Sequence, residues 1–271
     1  MQLLNHLRAI KAQTINNYHS FRIGTTTEPY YVRFRKEPYR ILFILGHMRA
    51  GSSLLTHLLT TNPEIVGFGE THLKYSSEKD FKHLLLKVYS HKRELKMDHK
   101  YVLDKILHNN KFIEKEIPHS KYLYTIFLVR EPQRSLSSII GIKPHWHQEE
   151  ALGYYSRRLV MLEKYARSIN SKEHSFFLTH DQLLNKTELV FKSLQNFLDV
   201  KQPFSEQYEV SSTTGRRGVG DWAGNIKAGH IIRNKQKSAS LIRSELVEQG
   251  TQAFHHCCNT LSEYCQTVSI H

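Results

Sequence analysis

Residues 40–59, RILFILGHMRAGSSLLTHLL, constrain the fold of this chain more than any other stretch. An apolar run over residues 41–45 breaks at Gly46, and after four more residues Gly51, Ser52 and Ser53 lead into the helical pattern Leu54, Leu55, Leu58 and Leu59. A strand, a glycine-bounded loop and a helix in that order build a cradle for phosphate. Glycine lets the backbone curl so that successive N–H groups point inward, and the positive end of the helix dipole faces the anion. Nucleotide hydrolases end such a loop in Gly-Lys-Ser/Thr, the lysine reaching the β/γ-phosphates and the hydroxyl holding Mg²⁺. Here Ser52 stands in the lysine's place, and the loop's cation is Arg49, two residues before Gly51. Such a loop suits a phosphate ester without a triphosphate.

Residues 122–140, YLYTIFLVREPQRSLSSII, repeat the theme. An apolar strand ends in Arg130, and Pro132 suits the first turn of a helix, where its missing N–H is not needed. Arg130 is thereby expected at the carboxyl end of a strand and Ser138 two turns along the helix, both able to face one anion. Alone, each reads equally well as a surface side chain; beside the first loop they favour a bound ligand.

The remaining pattern predicts short strands over 65–68, leading to Glu70, and over 111–117 and 175–179. Apolar residues at helical spacing predict helices over 84–89, 101–107, 148–169 and 188–198. Strands alternating with helices argue an α/β fold, three-layer α/β/α with a central parallel sheet, P-loop nucleotide-hydrolase-like, with the ligand at the carboxyl ends of the strands. The chain, 1–271, reads as a single domain. Residues 1–38 form a helical extension whose Leu3, Leu4, Leu7 and Ile10 are expected to pack on it, and residues 223–271 a C-terminal helical region.

These motifs resemble the sulfotransferase family, which takes sulfate from 3′-phosphoadenosine 5′-phosphosulfate (PAPS), and stand closer to its carbohydrate and tyrosylprotein branch than to the cytosolic steroid and phenol branch. The family's first loop, Lys/Arg-Ser-Gly-Thr/Ser-Thr/Ser, is matched by Arg49, Ala50, Gly51, Ser52 and Ser53. Its second element, an Arg with a Ser eight residues on, is matched by Arg130 and Ser138. A third, Arg-Lys-Gly followed by Gly-Asp-Trp, has a counterpart in Arg216, Arg217 and Gly218 before Gly220, Asp221 and Trp222. The resemblance implies that residues 49–54, Arg130, Ser138 and residues 216–218 hold the donor. Leu54 takes the place where the cytosolic branch stacks adenine on a Trp, so that platform lies elsewhere.

The resemblance also implies a general base. In the tyrosylprotein branch a Glu follows the helix after the loop, and Glu70 is its counterpart; Glu116 and His119 are the alternatives. A Lys before a Pro assists the leaving group in that branch, and Lys115, ahead of Pro118, matches it. Arg49 would stabilise charge on the leaving phosphate. The expected reaction moves a sulfuryl group to a hydroxyl acceptor such as a glycan or glycolipid. A P-loop kinase-type phosphotransferase would need a Lys at position 52. A non-catalytic nucleotide- or polyanion-binding protein would have no use for Glu70.

Net charge is +13, which suits an anionic donor. No interleaved aromatic-basic reader motif or zinc-finger spacing points to nucleic acid, while the basic amphipathic start of the chain is a mild candidate for a membrane surface. No apolar run approaches the ~20 residues needed to span a bilayer, and no signal peptide is apparent, so a cytoplasmic enzyme is expected. A homo-oligomer is compatible with the sequence. The three cysteines, Cys257, Cys258 and Cys265, follow His255 and His256 without metal-ligand spacing. They read as part of a C-terminal helix, and no metal is expected.

Overall fold

The computed structural model describes residues 2–110, 120–210, 226–233 and 241–268, with side chains from residue 6 onward. Six strands form one sheet: β1 (Arg40–Gly46), β2 (Ile65–Val66), β3 (Tyr101–Ile106), β4 (Leu123–Val129), β5 (Ser175–Thr179) and β6 (Gln266–Thr267). Their order is β2-β3-β1-β4-β5-β6, and every pairing is parallel. The crossovers from β1 and from β4 run in opposite directions, so their carboxyl ends flank the crevice where such sheets bind ligands.

Period-two alternation along β1 splits the core. Ile41, Phe43 and Leu45 face one layer, which holds α1 (Gln2–Gly24), α3 (Asp80–Lys92), α4 (Pro132–Ile142), α5 (Gln148–Ile169) and α8 (Ser244–Tyr264). Leu42 and Ile44 face the other, which holds α2 (Ser52–Thr60), α6 (His180–Asn185) and α7 (Thr187–Leu198). A sheet covered on both faces buries every side chain of its central strands. That is why residues 101–107, expected as a helix, begin with β3: all six of its residues are buried, Asp104 and Lys105 included, so the polar pair that gave the run its helical spacing marks no exposed face.

Three further expectations change. β2 is two residues long, so the segment reaching Glu70 is irregular. Leu7 and Ile10 do not pack on the body; they are 54% and 51% exposed, and α1 docks instead through Ile15, His19, Arg22 and Ile23 nearer its end. The C-terminal region closes with a strand, because β6 pairs with the free edge of β5 after α8 ends. Cys257 and Cys265 are buried and Cys258 partly so. Residues 111–117, expected as a strand, lie outside the described residues. No helix among the described residues is long and apolar enough to cross a membrane.

Candidate functional site

The loop after β1 is shaped by two left-handed residues, Arg49 at φ 68° and Gly51 at φ 95°. Gly51 is required twice over: that φ disfavours any other residue, and a β-carbon there would stand 2.4 Å from His180 Cδ2. Arg49 accepts the unusual conformation and sends its guanidinium across to α4, where Nε donates to Ser138 Oγ at 2.8 Å. Arg130, directly after β4, returns the tie by donating from Nη1 to the Arg49 carbonyl at 3.2 Å. Its Nε is buried with no hydrogen-bond partner among the described residues. An unmatched buried donor of this kind is costly unless a ligand satisfies it.

His47 locks these pieces together. Nε2 accepts from the Arg130 backbone N–H at 3.0 Å, which leaves Nδ1 to donate to the Met48 carbonyl at 2.8 Å. Complete burial, with Arg130 and Arg158 nearby, pushes its pKa down to about 4 and keeps the ring neutral. Arg158, itself buried, spans the ends of β1 and β3, donating to the Gly46 carbonyl at 2.8 Å and the Ile106 carbonyl at 2.7 Å. Tyr154 accepts from Met48 N–H at 2.9 Å and donates to the Leu107 carbonyl at 3.0 Å. The loop therefore has its shape before any ligand arrives.

Arg49, Gly51, Ser52, Ser53, Leu54, Glu70 and Arg130 all line one cavity of about 270 Å³. Ser138 joins them through its bond to Arg49, and Ala50 is buried beneath the loop. Lys115, Glu116, His119 and the third motif (Arg216, Arg217, Gly218) lie outside the described residues. The cavity is also lined by Lys105, Arg134, His180, His230 and Arg233, which the sequence motifs did not single out. Glu70 is the one carboxylate among the described lining residues.

Lys105 is the most informative of the additions. It is the fifth residue of β3, 3% exposed, and its ammonium donates to Ser53 Oγ at 3.2 Å. Burial lowers its pKa, with the charges of Glu70 and Asp104 opposing that shift. The signal in the sequence was an adjacent Asp104 and Lys105 inside an apolar run, obscured by reading that run as a helix. Asp104 turns the other way. Its carboxylate accepts from Thr71 N–H at 2.8 Å, Thr71 Oγ1–H at 2.6 Å and Tyr75 O–H at 2.5 Å. Burial pushes its pKa up to about 6.

These bonds, with Lys87 Nζ donating to the Thr71 carbonyl at 2.6 Å, anchor the residue next to Glu70. Glu70 follows Gly69 at φ 119° and is held on an irregular segment, with His72 Nδ1 3.5 Å from its carboxylate. Beside Gly51, burial and the charges of Arg130, Arg134 and His47 push His180 down to about 3. Among the described residues no cluster of His, Cys, Asp and Glu could hold a metal ion.

No protein-family model matches the chain, and no curated protein matches it by sequence. Solved structures match by shape. A sulfotransferase domain from the curacin biosynthetic pathway superposes with a TM-score of 0.56 at 16% identity, covering 84% of this chain and 99% of that one. The sulfotransferase domain of the Synechococcus PCC 7002 olefin synthase gives 0.55 at 16% identity, covering 82% and 96%. A mouse sulfotransferase complexed with PAP gives 0.47 at 10% identity, covering 83% and 88%. With one parallel six-stranded sheet clad by helices on both faces, this chain has the fold of the sulfotransferase domains.

Proposed function

We propose that the chain is a PAPS-dependent sulfotransferase acting on a hydroxyl acceptor. The observation that carries this reading is the meeting of Arg49, Lys105 and Arg130 with the amino end of α2 around one cavity that contains, among the described residues, a single carboxylate, Glu70. A nucleotide carrying phosphate on both its 3′ and 5′ oxygens needs two separate anion sites. The loop with Ser52 and Ser53 supplies one. Arg130, with its unmatched buried Nε, and Ser138 supply the other. The kinase-type alternative needs a lysine where this loop carries Ser52.

In the reaction, the acceptor oxygen attacks sulfur as the bond from sulfur to the 5′-phosphate oxygen breaks. The acceptor proton passes to the Glu70 carboxylate, and the electron pair of the broken bond stays on the phosphate as adenosine 3′,5′-bisphosphate leaves. Lys105 and Arg49, with the N–H groups opening α2, meet the charge that builds on that oxygen. Glu70 works as the base because its segment is clamped through Thr71. Phosphate contacts to residues 216–218 and help from Lys115 belong to the same proposal, and an acceptor of glycan or glycolipid type fits the branch resemblance.

The test is ligand-linked stability. Adenosine 3′,5′-bisphosphate should raise the melting temperature well beyond AMP, and Arg130→Gln should abolish that difference. Equal stabilisation by both compounds in the parent protein would remove the two-site reading.

A further inference from the structure

Helix α1 has no acidic residue, and its residues 6–11 are all exposed. Leu7, Ile10 and Phe21 fall on one stripe of its 3.6-residue period, and all three are exposed. The stripe continues into Phe34, whose ring lies 6.4 Å from that of Phe21. Phe34 is doubly unusual: it is 76% exposed and holds a left-handed φ of 65°. For a bulky residue that conformation costs about 1–3 kcal/mol, and it persists only where the surroundings impose it. They do so here, because Arg33 N–H donates to the Arg22 carbonyl at 2.8 Å and Arg22 Nε donates to the Arg33 carbonyl at 2.6 Å. Those bonds hold an aromatic ring out in water.

The rim of this apolar strip is cationic. Lys11 flanks it on the helix, Arg33 lies over both rings at 4.7 and 5.3 Å, and Lys36 follows. Arg35, next to Phe34, donates to the Met97 carbonyl at 3.1 Å, and Leu95 in that neighbouring segment is also exposed. Over residues 6–38 the six cations Arg8, Lys11, Arg22, Arg33, Arg35 and Lys36 outnumber the two acids, Glu28 and Glu37, and further off Asp98 pairs with Lys96 at 2.8 Å and Glu94 with His99 at 3.4 Å. A second copy of the chain would bring the same cations against these. We infer that this surface docks on an anionic phospholipid bilayer, apolar tips in the acyl boundary and guanidinium and ammonium groups among the headgroups.

The placement suits that role. Residues 33–36 lead into the amino end of β1 and residues 93–97 into that of β3, whereas the cavity opens at the carboxyl ends. A docked protein keeps its cavity toward solvent.

The test is sedimentation of the full chain with vesicles of phosphatidylcholine alone and of phosphatidylcholine mixed with phosphatidylserine. Binding should require phosphatidylserine and fall with salt. Phe34→Asp should weaken it roughly tenfold or more. Lys11→Gln with Lys36→Gln should weaken it about 25-fold, at about fivefold per cation. Both variants should melt no earlier than the parent and keep its affinity for adenosine 3′,5′-bisphosphate, since neither touches the cavity. Binding equal on both vesicles, no binding at all, or a dimer in solution abolished by Phe34→Asp would each overturn the inference.

Discussion

Replacing Lys105 by methionine separates catalysis from folding more sharply than any other change. The side chain is 3% exposed and its ammonium meets Ser53 and the field of Glu70. In the empty protein that charge is a burden, since burial disfavours it; Met keeps the length and apolar packing and removes the charge. The empty Lys105→Met protein should unfold no earlier than the parent, because a buried charge replaced by an apolar group of similar shape is neutral or stabilising by about 1 kcal/mol. During transfer the ammonium faces growing negative charge on the leaving oxygen, where one preorganised donor is worth about 10²–10³ in rate. Affinity for the bisphosphate product should fall only about tenfold, as for a single charged hydrogen bond.

The pH behaviour gives a second readout. The native pKa of Lys105 lies below the ordinary 10.5, so above that depressed value the unfolded chain holds the extra proton. Parent stability should therefore rise with pH from the depressed value up to 10.5, and Lys105→Met should lack that rise. Thermal unfolding measures the stability, and release of adenosine 3′,5′-bisphosphate from PAPS measures the transfer, to water or to an acceptor found with ³⁵S-labelled donor. A variant with the parent's rate, or one that melts several degrees early, would refute the role given to this lysine.

Glu70→Gln keeps shape but cannot take a proton; it should cost about 10²–10⁴ in turnover with donor affinity nearly intact, and a normal rate would shift the base to Glu116 or His119. Gly51→Ala combines a positive φ with a 2.4 Å approach to His180, so it should lower stability by more than about 1 kcal/mol and weaken bisphosphate binding; unchanged binding by calorimetry would contradict the loop's role. His47 is neutral in the fold, with a pKa of about 4 against 6.5 unfolded, so its contribution is complete above pH 6.5 and drains away down to pH 4 at up to about 1.4 kcal/mol per pH unit. His47→Gln should flatten that part of the acid-unfolding profile, and an unaltered profile would show that the ring does not titrate this way.

Local chemistry was legible where it is written in consecutive residues. The break at Gly46, the turn at Gly51 and the proline opening α4 announced two strand–loop–helix units, because φ restrictions and helix starts act over a few residues. The identity of β3 was not legible, since burial on both faces erases the period that would mark a strand. Misreading it hid Lys105 and Asp104. The exposed stripe of α1 was misassigned for a related reason: an amphipathic pattern says that a face exists, not what covers it.

The sequence by itself thus determined an α/β chain with a strand–glycine loop–helix unit, a second basic strand end and a surplus of positive charge, all properties of short segments and of composition. Only the tertiary structure decided that Arg49 reaches Ser138, that Lys105 rises from the neighbouring strand to Ser53, and that Asp104 fixes the segment of Glu70 through Thr71. Those pairs lie between 33 and 89 positions apart. Their meeting depends on the strand order, which places β3 and β4 on either side of β1, and a parallel crossover leaves no trace of that order in adjacent residues.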